Sequence, residues 1–362
     1  MTGFGFNVMD FGAKGDGLTD DTAAIQAAID FCAKRGGGRI CFPYTPKGYR
    51  IASPAVETYE GRPVRAQLVI PPGVHNIFLE GEMPCRFLYD YVVRQTDCPT
   101  IFSPTRFGDM WQDNTCIFSD WQPPEIHEPC ERPYAILAAP EGDWCKGLFS
   151  VPNFTIANME FRVHLDHEKM YPTQSAVNLQ NVGRAHVADS QFCLDDNVGD
   201  TILGKELQPN PCHTVGLMMS GDQNDHNTLR NVAVQGFRYG LVLSEHVVAD
   251  YLYVHNCEEG LTFHDSSHLS VINHITAQHN RRLVTTTTTE LFGHAKGPCA
   301  VEIGSINFES GRGLLPKVDA LEYGVYDPEN RLRGDLKWFQ PWGEQEFPVF
   351  GAAHFHVTHF GD

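Results

Sequence analysis

A short apolar strand that begins with glycine recurs in the middle of the chain. It starts at Gly216, Gly240 and Gly260, so the spacing is 24 and then 20 residues. A second apolar strand follows each copy after a turn. Repeats of this length are typical of solenoids, in which each coil packs only on its neighbours. The repeat therefore predicts an all-β fold, a parallel β-helix built from stacked coils.

A polar residue, usually histidine, stands just before the second strand of each repeat. In our alignment of the coils this position is taken by His75, Asn153, His186, His226, His246 and His268. Equivalent residues in stacked coils lie about 4.8 Å apart, so they form a column along the turn. We interpret the column as a hydrogen-bonded turn ladder and expect no metal site. Metal binding by the imidazoles is the alternative interpretation.

The N-terminal residues alternate between strand and helix signals. Asn7–Gly17 is a short apolar strand followed by a glycine-spaced turn, after which Thr19 or Asp20 is suited to cap a helix. The helix has one apolar face, formed by Ile25, Ala28, Ile29 and Cys32. Gly36–Gly38 ends the helix, and Arg39–Pro43 is predicted to be a strand.

This segment resembles a known family. The run DFGAKGDGLTDDTAAIQAAID, with GGGRICFP after it, is similar to the N-terminal cap of the pectate lyase superfamily over roughly residues 7–51. That superfamily includes polygalacturonase-like hydrolases, polysaccharide lyases, alginate epimerases and phage tailspike depolymerases. The resemblance implies a right-handed parallel β-helix whose open end is covered by the capping helix. It bears on the fold more than on the reaction.

The whole chain, residues 1–362, is predicted to be a single β-helix domain. Residues 1–52 form the N-terminal cap and residues 150–312 the regular coils, while residues 313–362 supply C-terminal strands that close the other end or pair with a neighbour. Residues 83–145 lack clear alternation and are rich in proline, cysteine and aromatic residues. We predict that they are long loop excursions, in which tryptophans stack on sugars or pack the loop onto the coils.

The composition limits which binding partners and which cellular compartment we expect for this protein. The net charge is −18 with no basic stripe, which argues against nucleic acid, and no stretch of about 18 apolar residues predicts a membrane span. Met1–Phe6 lacks the basic start and apolar run of a signal peptide, and the 11 cysteines form no CxxC pairs. We expect a cytoplasmic protein with reduced thiols, or a secreted one if a leader has been removed.

Carboxylates cluster next to the repeat strands. The candidate catalytic residues are Asp195, Asp196, Asp222, Glu258, Glu259 and Asp265. Glycoside hydrolysis needs one carboxyl to protonate the leaving oxygen and a second to act as base or nucleophile. We predict the acid among the first three and the group that activates water among the last three. Asp222 and Asp265 are expected to lie two coils, about 10 Å, apart.

Two of these clusters resemble motifs of polygalacturonase-like hydrolases. Asn256–Gly260 resembles their Asn-Thr-Asp motif, and Asp195-Asp196 resembles their Asp-Asp motif. The order is reversed in this chain, and the repeat places the two clusters about three coils apart. No Gly-His-Gly or Arg-Ile-Lys motif follows. The resemblance therefore implies an acidic groove without the full polygalacturonase set.

Other side chains are suited to hold a sugar by stacking or by charge-assisted hydrogen bonds. The candidate substrate-binding residues are Arg238, His264, Arg281, Arg282, Lys296, Trp111 and Trp121. They complete the favoured prediction, a glycoside hydrolase that acts on an oligosaccharide or polysaccharide without a cofactor.

Two alternatives remain open. A polysaccharide lyase or epimerase acting on uronates would use an Arg, Lys or His base and, in many lyases, Ca²⁺ held by carboxylates. Leu165–Lys169 resembles the Asp-Pro-His-Glu signature of alginate epimerases but lacks the proline. A non-catalytic glycan-binding or phage-tail-like module is the second alternative, and it favours a homotrimer.

Overall fold

The computed structural model describes residues 5–85, 114–124, 133–142, 151–165, 173–195, 213–219, 226–255, 257–264, 266–278, 280, 282–286, 297–309, 323–339 and 347–359. A 3-10 helix, Val8–Phe11, and one α-helix, α1 (Thr22–Lys34), lie near the start of the described chain. Among these residues no helix reaches the length and apolarity needed to cross a bilayer. The seven described cysteines form no disulfide.

Strands make up most of the described chain. In chain order they are β1 (Gly5–Asn7), β2 (Gly38–Phe42), β3 (Tyr49–Ile51), β4 (Val56–Tyr59), β5 (Arg62–Val69), β6 (Ile77–Gly81), β7 (Cys116–Ser119), β8 (Tyr134–Ala138), β9 (Phe154–Ala157), β10 (Glu160–His164), β11 (Thr173–Asn178), β12 (Ala185–Asp195), β13 (His213–Met219), β14 (Asn227–Gln235), β15 (Tyr239–Leu243), β16 (Val247–His255), β17 (Glu259–Phe263), β18 (Ser266–Gln278), β19 (Arg282–Thr286), β20 (Cys299–Glu309), β21 (Tyr323–Asp327), β22 (Leu332–Phe339), β23 (Val349–Gly351) and β24 (Phe355–His359). Strands β7 and β8 lie within residues 83–145, so this stretch contributes one strand to each sheet in addition to its loops.

The strands form two sheets that follow the chain as a solenoid. Sheet A has 14 strands and sheet B has 10, and from β11 onward odd-numbered strands belong to sheet B and even-numbered strands to sheet A. Each strand therefore pairs with the strand one coil later, and these pairings are parallel. A β4–β5 hairpin is the antiparallel exception among the described strands. The predicted parallel β-helix is confirmed.

The glycine repeat falls in register. Leu217 of β13 pairs with Leu241 of β15, which pairs with Leu261 of β17, so the preceding glycines form one column. A Cβ at Gly240 would lie 2.6 Å from the carbonyl oxygen of Gly260. Only glycine allows such close approach of neighbouring coils without displacement. The leucines after the glycines point inward and join one continuous apolar core between the sheets.

The histidine column is partly wrong as aligned from the sequence. His186 pairs with Thr228, which places Arg184 rather than His186 opposite His226. The same register, carried through β9 to β6, puts Asn76 rather than His75 in the column and confirms Asn153. Asn76, His226 and His246 have φ angles of 57°, 61° and 57°. Asparagine and histidine tolerate this left-handed backbone better than most residues, but Asn153 and Arg184 in the same column do not adopt it. In the next coil Leu269, rather than His268, lies opposite His246. Strand register, and not histidine itself, therefore defines the column.

The N-terminal cap folds as predicted. Ile25, Ala28, Ile29 and Cys32 are buried on one face of α1, which contacts β2, β5 and β6. Asp20 Oδ1 accepts the backbone N–H of Thr22 at 3.1 Å, whereas the Thr19 hydroxyl donates to Asp16 Oδ2. The N-cap residue is Asp21, whose side chain makes no capping hydrogen bond, so the predicted helix cap at Thr19 or Asp20 was wrong. Asp20 instead accepts the first helical N–H from the position before the N-cap.

Candidate active site

Charged residues converge where sheet A turns into sheet B. Tyr239, Glu259 and Arg282 begin β15, β17 and β19 and lie opposite one another in successive coils. Arg238 and Glu258 precede the first two of these strands. We call Arg238, Glu258, Glu259 and Arg282 the charged corner.

The charged corner alternates in sign across three coils. Arg282 Nη1 lies 3.1 Å from Glu259 Oε1, and Arg238 Nε lies 3.6 Å from Glu258 Oε2. The side chains of Glu259 and Glu258 are 11% and 13% exposed to solvent, so both carboxylates are largely buried. Pairing with arginine offsets the cost of burying two neighbouring carboxylates.

Glu259 is held by a neutral donor as well. The Thr285 hydroxyl donates to Glu259 Oε2 at 2.9 Å and lies 3.1 Å from the Thr262 hydroxyl. Burial raises the pKa of the Glu259 carboxyl above its ordinary value, while Arg282 and Thr285 reduce that rise and the charge of Glu258 adds to it. A buried carboxyl whose pKa is raised, beside a second carboxyl, is an environment that suits general acid catalysis.

An aromatic surface adjoins the charged corner on one side. The Arg282 guanidinium lies 3.8 Å from the centre of the Tyr326 ring, and Tyr326 stacks on Phe350 with ring centres 5.3 Å apart. Phe350 is 44% exposed. Thr285, Tyr326 and Phe350 lie in register on the same row of sheet B, and this row offers hydroxyl and ring contacts of the kind that sugars use.

The structure brings together four of the predicted site residues and separates two others. Arg238, Glu258, Glu259 and Arg282 meet at the charged corner, whereas His264 lies at the opposite end of β17. Burial and the charge of Arg331 lower the pKa of His264 to about 4. Trp121 packs edge-to-face on Tyr134, with ring centres 5.4 Å apart.

Tyr134 belongs to β8, and sheet B places β8 four coils before β17. Trp121 is therefore on the order of 19 Å along the axis from Glu259. A single sugar unit does not span that separation, so Trp121 belongs to a different part of the surface.

Asp195 lies closer to the corner than the repeat suggested. It ends β12, which pairs with β14, and β14 pairs with β16 just before Glu258. The separation is two coils, about 10 Å, and the predicted three coils was wrong because the coil lengths are unequal. Its register partner is His164 of β10. Six further candidates, namely Asp196, Asp222, Asp265, Arg281, Lys296 and Trp111, lie outside the described residues.

Sequence reasoning missed several polar contacts. Thr285 and Tyr326 carry no motif, since their role depends on pairing between coils. A buried pair, Glu160 with Arg162, was missed too: Arg162 Nε donates to Glu160 Oε1 at 2.7 Å, and Asn114 Nδ2 donates to the other oxygen at 2.7 Å. Glu160 and Arg162 are two residues apart on one strand and so lie on the same face, which is the sequence signal that could have predicted their pairing.

Comparison with known proteins supports the cap and the fold. Residues 5–61 match the family described as rhamnogalacturonase A/epimerase, pectate lyase-like. Alginate lyase 7 of Azotobacter vinelandii is 62% identical over 48 residues, which are 13% of this chain and 5% of that enzyme. Mannuronan C5-epimerase AlgE4 of the same organism is 44% identical over 71 residues, 19% of this chain and 11% of the epimerase.

A solved structure is similar over nearly the whole length. ORF18 of Geobacillus virus E2 covers 99% of this chain and is itself covered to 62%, with a TM-score of 0.50 and 13% identity. That likeness concerns the fold alone. Together with the sheet topology it confirms the predicted parallel β-helix, and the family match at residues 5–61 confirms the predicted resemblance of the N-terminal segment.

Proposed function

We propose that this protein is a carbohydrate-active enzyme that hydrolyses a glycosidic bond in a polysaccharide at the charged corner. The observation that carries the proposal is the buried carboxyl of Glu259, whose pKa is raised by burial, beside Glu258 and two arginines. The sequence matches support a polysaccharide as the substrate class, because the matched relatives are named as alginate lyase and mannuronan epimerases.

In the proposed reaction Glu259 gives its proton to the glycosidic oxygen of the leaving sugar. Glu258 accepts a proton from water, and the water oxygen attacks the anomeric carbon as the glycosidic bond breaks. The products are two shorter saccharides. Proton exchange with solvent then returns the lost proton to Glu259 and removes the gained proton from Glu258. Arg238 pairs with Glu258 and Arg282 pairs with Glu259, so each arginine influences the protonation of one carboxyl. Tyr326 and Phe350 support the sugar ring.

The experiment compares the wild type with Glu259→Gln on a panel of neutral and uronate polysaccharides. Reducing ends and the ultraviolet absorbance of unsaturated ends are followed in parallel. We expect new reducing ends without absorbance, and a fall in kcat of at least about 100-fold in the variant. Glu302→Gln, the same change at an exposed position on β20, serves as the control. An unchanged kcat in Glu259→Gln would exclude its role as the acid.

A second candidate is a lyase or epimerase that acts on uronates. It is favoured by the 62% identity of the cap to alginate lyase 7 and by the resemblance of Leu165–Lys169 to the epimerase signature. Arg238 or Arg282 would then neutralise the uronate carboxylate. Rising absorbance on a polyuronate supports the lyase, and loss of that signal with EDTA supports a Ca²⁺ requirement. Proton exchange at C5 without chain cleavage supports the epimerase.

A further inference from the structure

A second polar cluster lies at the other end of the sheet B strands. Glu245 and His246 follow β15, and His268 lies near the start of β18 in the next coil. The charged corner precedes β15 and β17, so the whole length of a strand separates the two places. We call Glu245, His246 and His268 the histidine cluster.

The three side chains converge. His268 Nδ1 lies 2.7 Å from Glu245 Oε2, and His246 Nδ1 lies 4.0 Å from Glu245 Oε1. The two imidazole rings stack with centres 4.7 Å apart and an angle of 11° between their planes. One ligand atom from each residue lies within 4.8 Å of the other two. Two nitrogens and a carboxylate oxygen therefore lie near one another, and the stacked rings must rotate to direct both nitrogens at one ion.

The backbone around the cluster is fixed by buried groups. Glu245 is 7% exposed and Ser244 is 1% exposed. The Ser270 hydroxyl donates to the carbonyl oxygen of Ser244 at 3.0 Å, which ties the turn to the next coil. His246 has a φ of 57°, so its backbone direction is set by the left-handed turn. Two of the three side chains thus come from a rigid turn, and His268, one residue before the position opposite His246 in the next coil, stacks on His246.

We propose that the histidine cluster binds a divalent transition metal ion, with Zn²⁺ as the ion it fits best. Two imidazoles and one carboxylate form a ligand set that Zn²⁺ uses with a water in the fourth position. Hard ions such as Ca²⁺ favour all-oxygen sets, so the two nitrogens select against them. This proposal goes beyond the glycan-cleaving function and does not depend on it.

The present separations are close to those a tetrahedral ion needs. Metal–ligand bonds of about 2.1 Å place ligand atoms roughly 3.4 Å apart. The three ligand atoms lie within 4.8 Å of one another, so no separation must close by more than about 1.4 Å on that estimate. The His268 side chain is 63% exposed, so it can turn without disturbing the core.

A neighbouring histidine provides the matched control. His226 stacks on His246 from the other side, with ring centres 6.3 Å apart, but it is not among the three ligands. A purely structural stack of rings would involve His226 and His268 alike. Metal binding would involve Glu245, His246 and His268 but not His226, which makes the two interpretations separable.

The test is calorimetric titration of the full chain with zinc chloride after dialysis against a chelator. We expect one equivalent to bind to the wild type and to His226→Ala. In His268→Ala and Glu245→Gln we expect the affinity to fall by roughly 10-fold or more. A rise in the thermal midpoint on adding Zn²⁺, present in the wild type and absent in His268→Ala, should accompany binding.

Because His268 is exposed, its removal should leave the fold intact, and circular dichroism of the metal-free variants checks this. Replacing Zn²⁺ by Co²⁺ should give the visible absorption of a tetrahedral site in the wild type alone. No binding by the wild type would overturn the proposal. Equal affinity and stoichiometry in the wild type and His268→Ala would overturn it as well, since any bound zinc would then lie at other histidines.

Discussion

At the scale of single residues, the aspartates of the N-terminal signature act as acceptors for nearby backbone N–H groups. Asp16 Oδ1 accepts from Leu18 and Thr19 at 2.9 and 2.7 Å. Asp21 is buried, and its two oxygens accept from the N–H groups of Lys14 and Gly15 at 2.7 and 3.0 Å. These carboxylates shape turns and a helix start, which gives the most recognisable stretch of the sequence a structural role.

Asp20 should make the stability of the protein depend on acid pH. Burial raises its pKa, but donors on Ser53, Thr22 and Ala52 outweigh burial and lower the pKa to about 2. Since an unfolded aspartate titrates near pH 3.9, this stabilisation is present above about pH 4 and is lost as the pH falls towards 2. The group is mostly solvent-accessible, so screening keeps its contribution modest.

We expect Asp20→Asn to lower the free energy of unfolding by about 1 kcal/mol at pH 7, the effect of the lowered pKa after solvent screening, measured by urea denaturation. The difference from the wild type should shrink as the pH approaches 2. Asp10→Asn, at an exposed position of the 3-10 helix, is the control. A loss that is equally large at pH 7 and pH 2 would mean that the charge of Asp20 is not what stabilises the cap.

Arg282 should set the pH range of the proposed reaction. Burial raises the pKa of Glu259, and Arg282 is the strongest opposing influence. Activity that needs protonated Glu259 falls as the pH rises through that pKa. Removing the cation in Arg282→Gln should raise the pKa further, so the alkaline limb of kcat should move to higher pH. A limb that stays in place would assign the titration to another group.

At the scale of the elements, the glycine column governs how closely the coils stack. A Cβ at Gly216 would lie 2.6 Å from the carbonyl oxygen of Gly240, and one at Gly240 would meet Gly260 in the same way. Gly240→Ala should therefore lower the free energy of unfolding by about 1–3 kcal/mol, the usual cost of overpacking. Thermal unfolding followed by circular dichroism measures it, and an unchanged midpoint would show that the coils can separate at little cost.

The elements differ in how far the sequence could predict them. The buried face of α1 and the column of Gly216, Gly240 and Gly260 follow from local periodicity, so both predictions are confirmed. The histidine column was misaligned at His75, His186 and His268, because coil lengths vary and residue type does not reveal which residues lie opposite one another.

The site shows the same division. The pairing of Glu258 and Glu259 with Arg238 and Arg282 joined residues already proposed from the sequence. Thr285, which hydrogen-bonds Glu259, could not be predicted, since its position relative to Glu259 depends on the pairing of β17 with β19. Contacts between coils are invisible until the register is known.

At the scale of the whole molecule, the excess of acidic residues should destabilise the fold at low salt. The net charge is −18, and the excess acidic side chains repel one another along a solenoid stabilised by one continuous apolar core. Salt screens this repulsion, since the Debye length falls from about 30 Å at 0.01 M to about 8 Å at 0.15 M. Salt also weakens exposed ion pairs such as Arg39–Glu80, but each of these is worth at most about 1 kcal/mol.

We therefore expect the thermal midpoint of unfolding to rise when sodium chloride is increased from about 0.01 M to about 0.15 M, because the Debye length shortens over this range. Differential scanning calorimetry at constant pH measures the change, and an equal osmolality of sucrose controls for excluded volume. A midpoint that falls with salt would show that specific ion pairs outweigh the net repulsion.

In the described part of the chain α1 packs on β2, β5 and β6, and the aspartates before it bond to residues 14–22 and 52–53. Such a lid is a separable part. A chimera that carries the corresponding segment of another β-helix enzyme should keep the substrate preference of the coils it covers. Strong identity in this segment then reports how the first coil is covered more than which reaction the coils carry out.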